Sequence, residues 1–266
     1  LNGGTVVFSS LNNLGTGPIN FAGGTLQYAL NNIDDISTRS ITFGAGGGTI
    51  DDGGNYIMLA NAIGNGGPGS FTKTGTGTLV LAGTNIYTGA TLVANGTLML
   101  GASSYISNSP ALIVNATLDT ASYGTGLALN PSINQFLSGT GTITGNVTVP
   151  TGTTISPATN GVVGTLSLGN DLTMSGGTLA FDVSNASHDL LNVGGNLTIN
   201  SGSVLVITNA APLNNGVYKL IQYGGGLVNG AGSSGNLIVQ GFNQPGKVAS
   251  LSDATPNEID LVISTQ

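Results

Sequence analysis

Gly77-Thr78-Leu79-Val80-Leu81-Ala82-Gly83 and, one short interval later, Gly96-Thr97-Leu98-Met99-Leu100-Gly101 are two copies of one phrase. A glycine opens each run, alternate residues are aliphatic, and a second glycine closes it. Alternation with a period of two over about four to six residues predicts a short strand with one buried face. Outward from this pair the phrase recurs at Gly3-Gly4-Thr5-Val6, Gly23-Gly24-Thr25-Leu26, Gly47-Gly48-Thr49-Ile50, Gly141-Thr142-Ile143, Gly164-Thr165-Leu166 and Gly176-Gly177-Thr178-Leu179. A weaker copy, Asn115-Ala116-Thr117-Leu118, fills the widest gap. Successive copies lie roughly 20–30 residues apart, the range of solenoid repeats. One such unit cannot bury its apolar face alone, so neighbours must stack and share a core.

An all-β parallel β-helix of about a dozen rungs satisfies this pattern, each rung pairing with the next at the ~4.8 Å strand spacing. Glycine and asparagine supply the positive-φ corners, and threonine and asparagine at equivalent positions stack into ladders. A sandwich of hairpins is the alternative, but its two-residue turn signals are not regularly spaced here. Helical periodicity is short: Leu26 to Ile33 is the best candidate and would make a turn or two at most. Beyond residue 203 the rhythm loosens. Val204–Val206, Tyr218–Ile221, Leu237–Val239, Val248–Leu251 and Ile259–Val262 read as strands between longer polar loops. The expected organisation is therefore a parallel β-helix over 1–203 and a C-terminal β-rich, hairpin-type cap continuing the coil over 204–266.

Composition narrows the function classes. The 266 residues include 45 Gly, 4 Lys+Arg against 11 Asp+Glu, 1 His and no Cys or Trp, with 39% hydrophobic residues and a net charge of −7. That apolar fraction is too high for a disordered linker. The glycines lack the every-third spacing of collagen. Arg39, Lys73, Lys219 and Lys247 read as isolated cations, with no basic stripe for nucleic acid and no juxtamembrane cluster. Without cysteine there is neither a disulfide framework nor a thiolate metal site. No run approaches the ~20 apolar residues of a membrane helix. Leu1 opens directly into a rung-like segment, so any secretion signal is expected to be removed or to lie elsewhere.

Residues 70–98, from Ser70-Phe71-Thr72-Lys73 through Asn85-Ile86-Tyr87-Thr88-Gly89 to Gly96-Thr97-Leu98, closely resemble the autotransporter-associated β-strand repeat. That repeat reads as a lysine, a glycine-rich step, Leu-x-Leu, Asn-x-Tyr-x-Gly, a threonine-rich strand and Gly-Thr-Leu. Gly44 to Asn55 resembles the rung that precedes it, and Leu137 to Val149 continues the style. The resemblance implies a right-handed β-helical passenger or stalk, extracellular and displayed at a bacterial cell surface, with no chemistry in the repeat itself. No translocator-barrel pattern of strands is found. The tail from Gly216 to Ile263 is similar instead to the end region of repeat proteins that a short sorting tail can follow.

The residues capable of chemistry are few. Asp34-Asp35 and Asp51-Asp52 are the only adjacent acidic pairs, candidates for a Ca²⁺ site or a hydrolytic carboxylate pair. Adjacent strand residues face opposite ways, however, which favours solvated turn acids. Ser187-His188-Asp189 places three triad-type residues side by side, where an extended chain cannot converge them on one another. Asn-x-Ser/Thr triplets at Asn95, Asn115, Asn146, Asn185 and Asn196 follow from the abundance of Asn and Thr. No catalytic residue, cofactor or metal is therefore assigned. The expected function is a non-enzymatic extracellular stalk or self-assembling fibre subunit. An adhesin binding glycans or surfaces through loops such as Ala102 to Pro110, with Tyr105, is the alternative, and a polysaccharide-degrading enzyme the third reading. Expected partners are the chain itself or cell-surface and glycan ligands, without nucleic acid or a membrane span.

Overall fold

A computed structural model describes residues 1–266 apart from 103, 123, 125, 160, 209–211 and 230–235. The chain is all-β, a parallel β-solenoid that divides into two compact units, residues 1–124 and 125–266. In the first unit the long sheet stacks Thr5–Phe8, Thr25–Tyr28, Gly48–Asp51, Phe71–Thr74, Thr91–Val93 and Ala111–Val114, each parallel to the next. A second sheet stacks Tyr56–Leu59, Thr78–Leu81, Thr97–Leu100 and Thr117–Asp119. A short pair, Ile19–Phe21 with Ile41–Phe43, forms a third side.

The second unit repeats the plan. Its long sheet runs through Phe136–Gly139, Thr154–Pro157, Thr178–Asp182, Ser203–Thr208 and Leu237–Gln240. Another passes through Thr142–Ile143, Thr165–Leu168, Leu190–Val193 and Gly216–Tyr223. Leu127–Ala128, Val147–Pro150, Leu172–Ser175, Leu197–Ile199 and Leu227–Val228 close the coil. The turns number slightly fewer than the dozen expected. In the tail, Gly216–Tyr223 pairs antiparallel with Glu258–Thr265, which pairs antiparallel with Lys247–Ser252.

Register explains the recurring phrase. Thr78, Thr97 and Thr117 lie opposite one another, as do Leu79, Leu98 and Leu118. The three leucines are fully buried while the threonines stay half-exposed. A one-residue slip would exchange the two rows, so the buried row holds the register. Aromatic residues fill the corner opposite: Phe43 lies 5.2 Å from Phe21, 5.4 Å from Phe71 and 5.5 Å from Tyr87, centroid to centroid. The segment from Leu26 is a strand rather than a helical turn, because Leu26 and Tyr28 both point into the core. Tertiary burial with a period of two overrides its weak helical pattern.

Replacing Leu98 by alanine removes the middle of a leucine row. Urea unfolding should show a loss of roughly 2–5 kcal/mol, against about 0.5 kcal/mol or less for Thr97→Ala on the outer face.

Candidate functional site

Lys73 does not lie on the surface. Register places it in an inward column, between Ile50 one turn earlier and Val93 one turn later, with Leu26 and Val114 continuing the line. Its aliphatic neighbours are buried and so is its whole side chain. An ammonium in such a column needs compensation, because burying an unpaired charge costs several kcal/mol. Asp52, also fully buried, forms an ion pair with it. Lys73 Nζ further donates to the carbonyl oxygens of Gly75 at 2.9 Å, Gly77 at 3.2 Å and Asn95 at 2.9 Å. Asp52 Oδ1 accepts from Gly54 N and Gly77 N, both at 2.8 Å.

The pair joins three turns: Asp52 from one, Lys73 from the next, and the Asn95 carbonyl from a third. Two glycines make room for it. Gly75 has φ +85°, and a Cβ there would strike the Asp52 carboxylate. At Gly96, φ is +63° and a Cβ would stand 2.6 Å from Lys73 Nζ. Burial pushes the Lys73 ammonium below the ordinary lysine range, and the hydrogen bond and charge of Asp52 pull it back. The group is thus a structural cation clasped by backbone oxygens.

The other acidic residues are dispersed among local tasks. Asp34 Oδ2 accepts from Leu11 N at 2.6 Å. Asp35 caps the short 3₁₀ turn Ile36–Thr38 through Ser37 N at 2.8 Å, and its second oxygen accepts from Ala60 N at 3.2 Å. Asp51 Oδ1 accepts from Gly53 N at 2.8 Å, and Oδ2 from Gln27 Nε2 at 3.3 Å. Asp34, Asp35 and Asp51 are half-buried, and Asp52 is the one drawn fully inside, against the expectation of a solvated turn acid. Among the described residues no three His, Asp or Glu side chains converge as metal ligands.

The Ser187-His188-Asp189 run is dispersed in the same way. His188 faces Tyr218 edge-on at 6.0 Å, and Ser187 lies in a tight turn closed by Ser184. Asp189 is buried and bridges two segments, Oδ1 accepting from Gly164 N and Oδ2 from Asp182 N, both at 2.8 Å. Desolvation pushes its carboxyl up to about 6, against the pull of those two N–H groups and with the help of nearby Asp182. Arg39 is likewise committed to the backbone, its Nε donating to the Gly17 carbonyl at 2.6 Å. Tyr105 is about half exposed at 48%, and Ser103 in the same loop lies outside the described residues.

Three measurements follow from these placements. Lys73→Met strands the Asp52 charge and should lower unfolding free energy by about 3–5 kcal/mol. The double change Asp52→Asn/Lys73→Met should recover much of that loss, and simple additivity in a double-mutant cycle would refute coupling. Trypsin should spare the bond after Lys73 in the native chain and cut it once urea is added. For Asp189, the native carboxyl binds its proton more tightly than the unfolded one. Stability should therefore be highest below about pH 4 with respect to this group and fall as pH rises to about 6, by roughly 2–3 kcal/mol. Asp189→Asn should flatten that part of the pH profile in urea titrations.

Comparison with known proteins adds two findings. Residues 71–100 match the family model of the passenger-associated-transport-repeat. Lys73 and the glycines and asparagine around it all fall inside that segment, while Asp52 comes from the turn before. Over 90 residues the chain is 44% identical to the adhesin BmaC autotransporter of Brucella suis biovar 1 (strain 1330). That stretch is 32% of this chain and 2% of the adhesin, so the chain spans a small fraction of this relative's length. Both likenesses indicate an extracellular or cell-surface protein, and residues 71–100 of its solenoid carry an autotransporter passenger repeat.

Proposed function

We propose that the chain is a non-enzymatic stalk segment of an autotransporter-type surface protein, a β-helical spacer that carries neighbouring parts of the passenger outward. The observation that carries this reading is the constant register from turn to turn. Residues of like character, such as Thr78, Thr97 and Thr117, repeat in rows, and polar side chains such as Lys73, Asp52 and Asp189 are spent on fastening one turn to another. Stacked turns support one another through nearest-neighbour interfaces, which suits a spacer. The passenger repeat over residues 71–100 and the adhesin relative support the same reading.

A stalk outside the cell must withstand proteases. Proteinase K acting on the native chain should leave residues 71–100 within a resistant fragment, identifiable by mass spectrometry. Digestion of that segment as fast as in the urea-unfolded chain would exclude the stalk role.

A second reading, surface adhesion, draws on Ile86 and Tyr105. Both are exposed, at 41% and 48%, on successive turns joined by the Thr84–Tyr105 bridge and by Asn85 N donating to the Tyr105 carbonyl at 3.0 Å. The relative's name supports it. Host-cell binding by the purified chain should then weaken in Ile86→Ser/Tyr105→Ala, and equal binding by that variant would remove this reading. Self-association is helped by the low charge and would appear as concentration-dependent sedimentation.

A further inference from the structure

The second unit holds an open groove of about 410 Å³ on the outer face of the strands Thr165–Leu168, Leu190–Val193 and Gly216–Tyr223. Register sets Ser167 opposite Asn192 and Asn192 opposite Gln222. The alternate residues Leu168, Val193 and Tyr223 turn inward and are buried, so the three polar side chains stand in one outward row, one per turn. Beside the row runs bare backbone. Gly194 N donates to the Leu168 carbonyl at 2.7 Å and Gly224 N to the Val193 carbonyl at 2.8 Å. A Cβ at Gly194 would strike the Gly169 carbonyl, and one at Gly224 the Gly194 carbonyl. These two positions therefore remain glycine, and their missing side chains open the groove.

The row keeps its hydrogen-bonding capacity. No side-chain partner within the chain occupies the Ser167 hydroxyl or the Asn192 amide among the described residues. Gln222 Oε1 accepts from Lys219 Nζ at 3.3 Å, which leaves its NH₂ group. Among the described residues charge stands at one end, where Lys219 and Glu258 pair at 3.1 Å and the Asp253 carboxylate acts on Tyr223.

We propose that this groove binds an uncharged, extended β-linked glycan. A hydroxyl and two amides offer both donors and acceptors, as sugar hydroxyls require, and nothing in the row selects an ion. The side chains repeat at the ~4.8 Å rung spacing, comparable with the advance of one sugar unit along an extended chain. The glycine floor lets a flat ring approach the backbone. An extended peptide is less well matched: the groove lies on a sheet face, where strand addition has no free backbone groups to pair with. This site is distinct from the Ile86 and Tyr105 surface and does not depend on the stalk reading.

Native affinity electrophoresis of the full chain tests the assignment, in gels containing hydroxyethylcellulose, xyloglucan or, as the charged control, polygalacturonate. Retardation is expected in at least one neutral gel, unchanged by added salt, and absent with polygalacturonate. Ser167→Ala/Asn192→Ala/Gln222→Ala should weaken binding about tenfold or more with an unchanged melting temperature. Should the triple variant misfold, Asn192→Leu preserves volume while removing the central amide and should show the same direction of change. Absence of retardation in both neutral gels, retardation only with polygalacturonate, or undiminished binding by a folded variant would each overturn the proposal.

Discussion

Constant register between parallel turns is the constraint on which the rest of this structure depends. Once Leu79, Leu98 and Leu118 share a column, every residue between them inherits a fixed direction, inward or outward. A side chain's environment is then decided by its column, and its own chemistry has to fit. Small stacked units have no other core to fall back on, so a mismatch in one column is felt in both neighbouring turns.

Lys73 shows what happens when chemistry and column disagree. Its place between Ile50 and Val93 calls for an aliphatic side chain, and the charge is accommodated only because Asp52 and three carbonyl oxygens surround it. Such a pair contributes little net stability compared with a well-packed aliphatic residue. What it adds is a tie across turns: the ammonium reaches Asp52 in the turn before and the Asn95 carbonyl in the turn after. In a repeat whose neighbouring strands resemble one another, a slip by one turn would satisfy most aliphatic columns, but it would strand this charge. The lysine within the passenger repeat can thus be understood as a marker of register.

The alternation around Leu79 and Leu98 made the strands, the stacking and the inward rows legible in the sequence, because a period of two translates directly into burial. Lys73 was legible in principle as well: it stands two residues after Phe71 in a four-residue strand and must share its inward face. Read only as an isolated cation, it carries no such placement, because charge alone does not say which face of a strand a residue takes. Asp52 was harder to place, since it lies just beyond the strand Gly48–Asp51, where alternation no longer dictates direction. The groove row Ser167, Asn192 and Gln222 was hidden for another reason. Its members lie far apart in sequence, and turns of unequal length carry them into one line.

Polar side chains in this coil fall into two groups, and the division carries functional meaning. Asp34, Asp35, Asp51, Asp52 and Asp189 all accept backbone N–H groups, so their polarity is consumed in holding loops and turns together. Such residues look reactive in a sequence and are engaged in the fold. Ser167 and Asn192 are the reverse: unremarkable in sequence, uncharged, and left with open hydrogen-bonding capacity beside a glycine floor. The proposed groove relies on neutral groups of this second kind. Binding there would be insensitive to salt and suited to hydroxyl-rich surfaces, because each contact exchanges one hydrogen bond with water for one with ligand and no counterion is released.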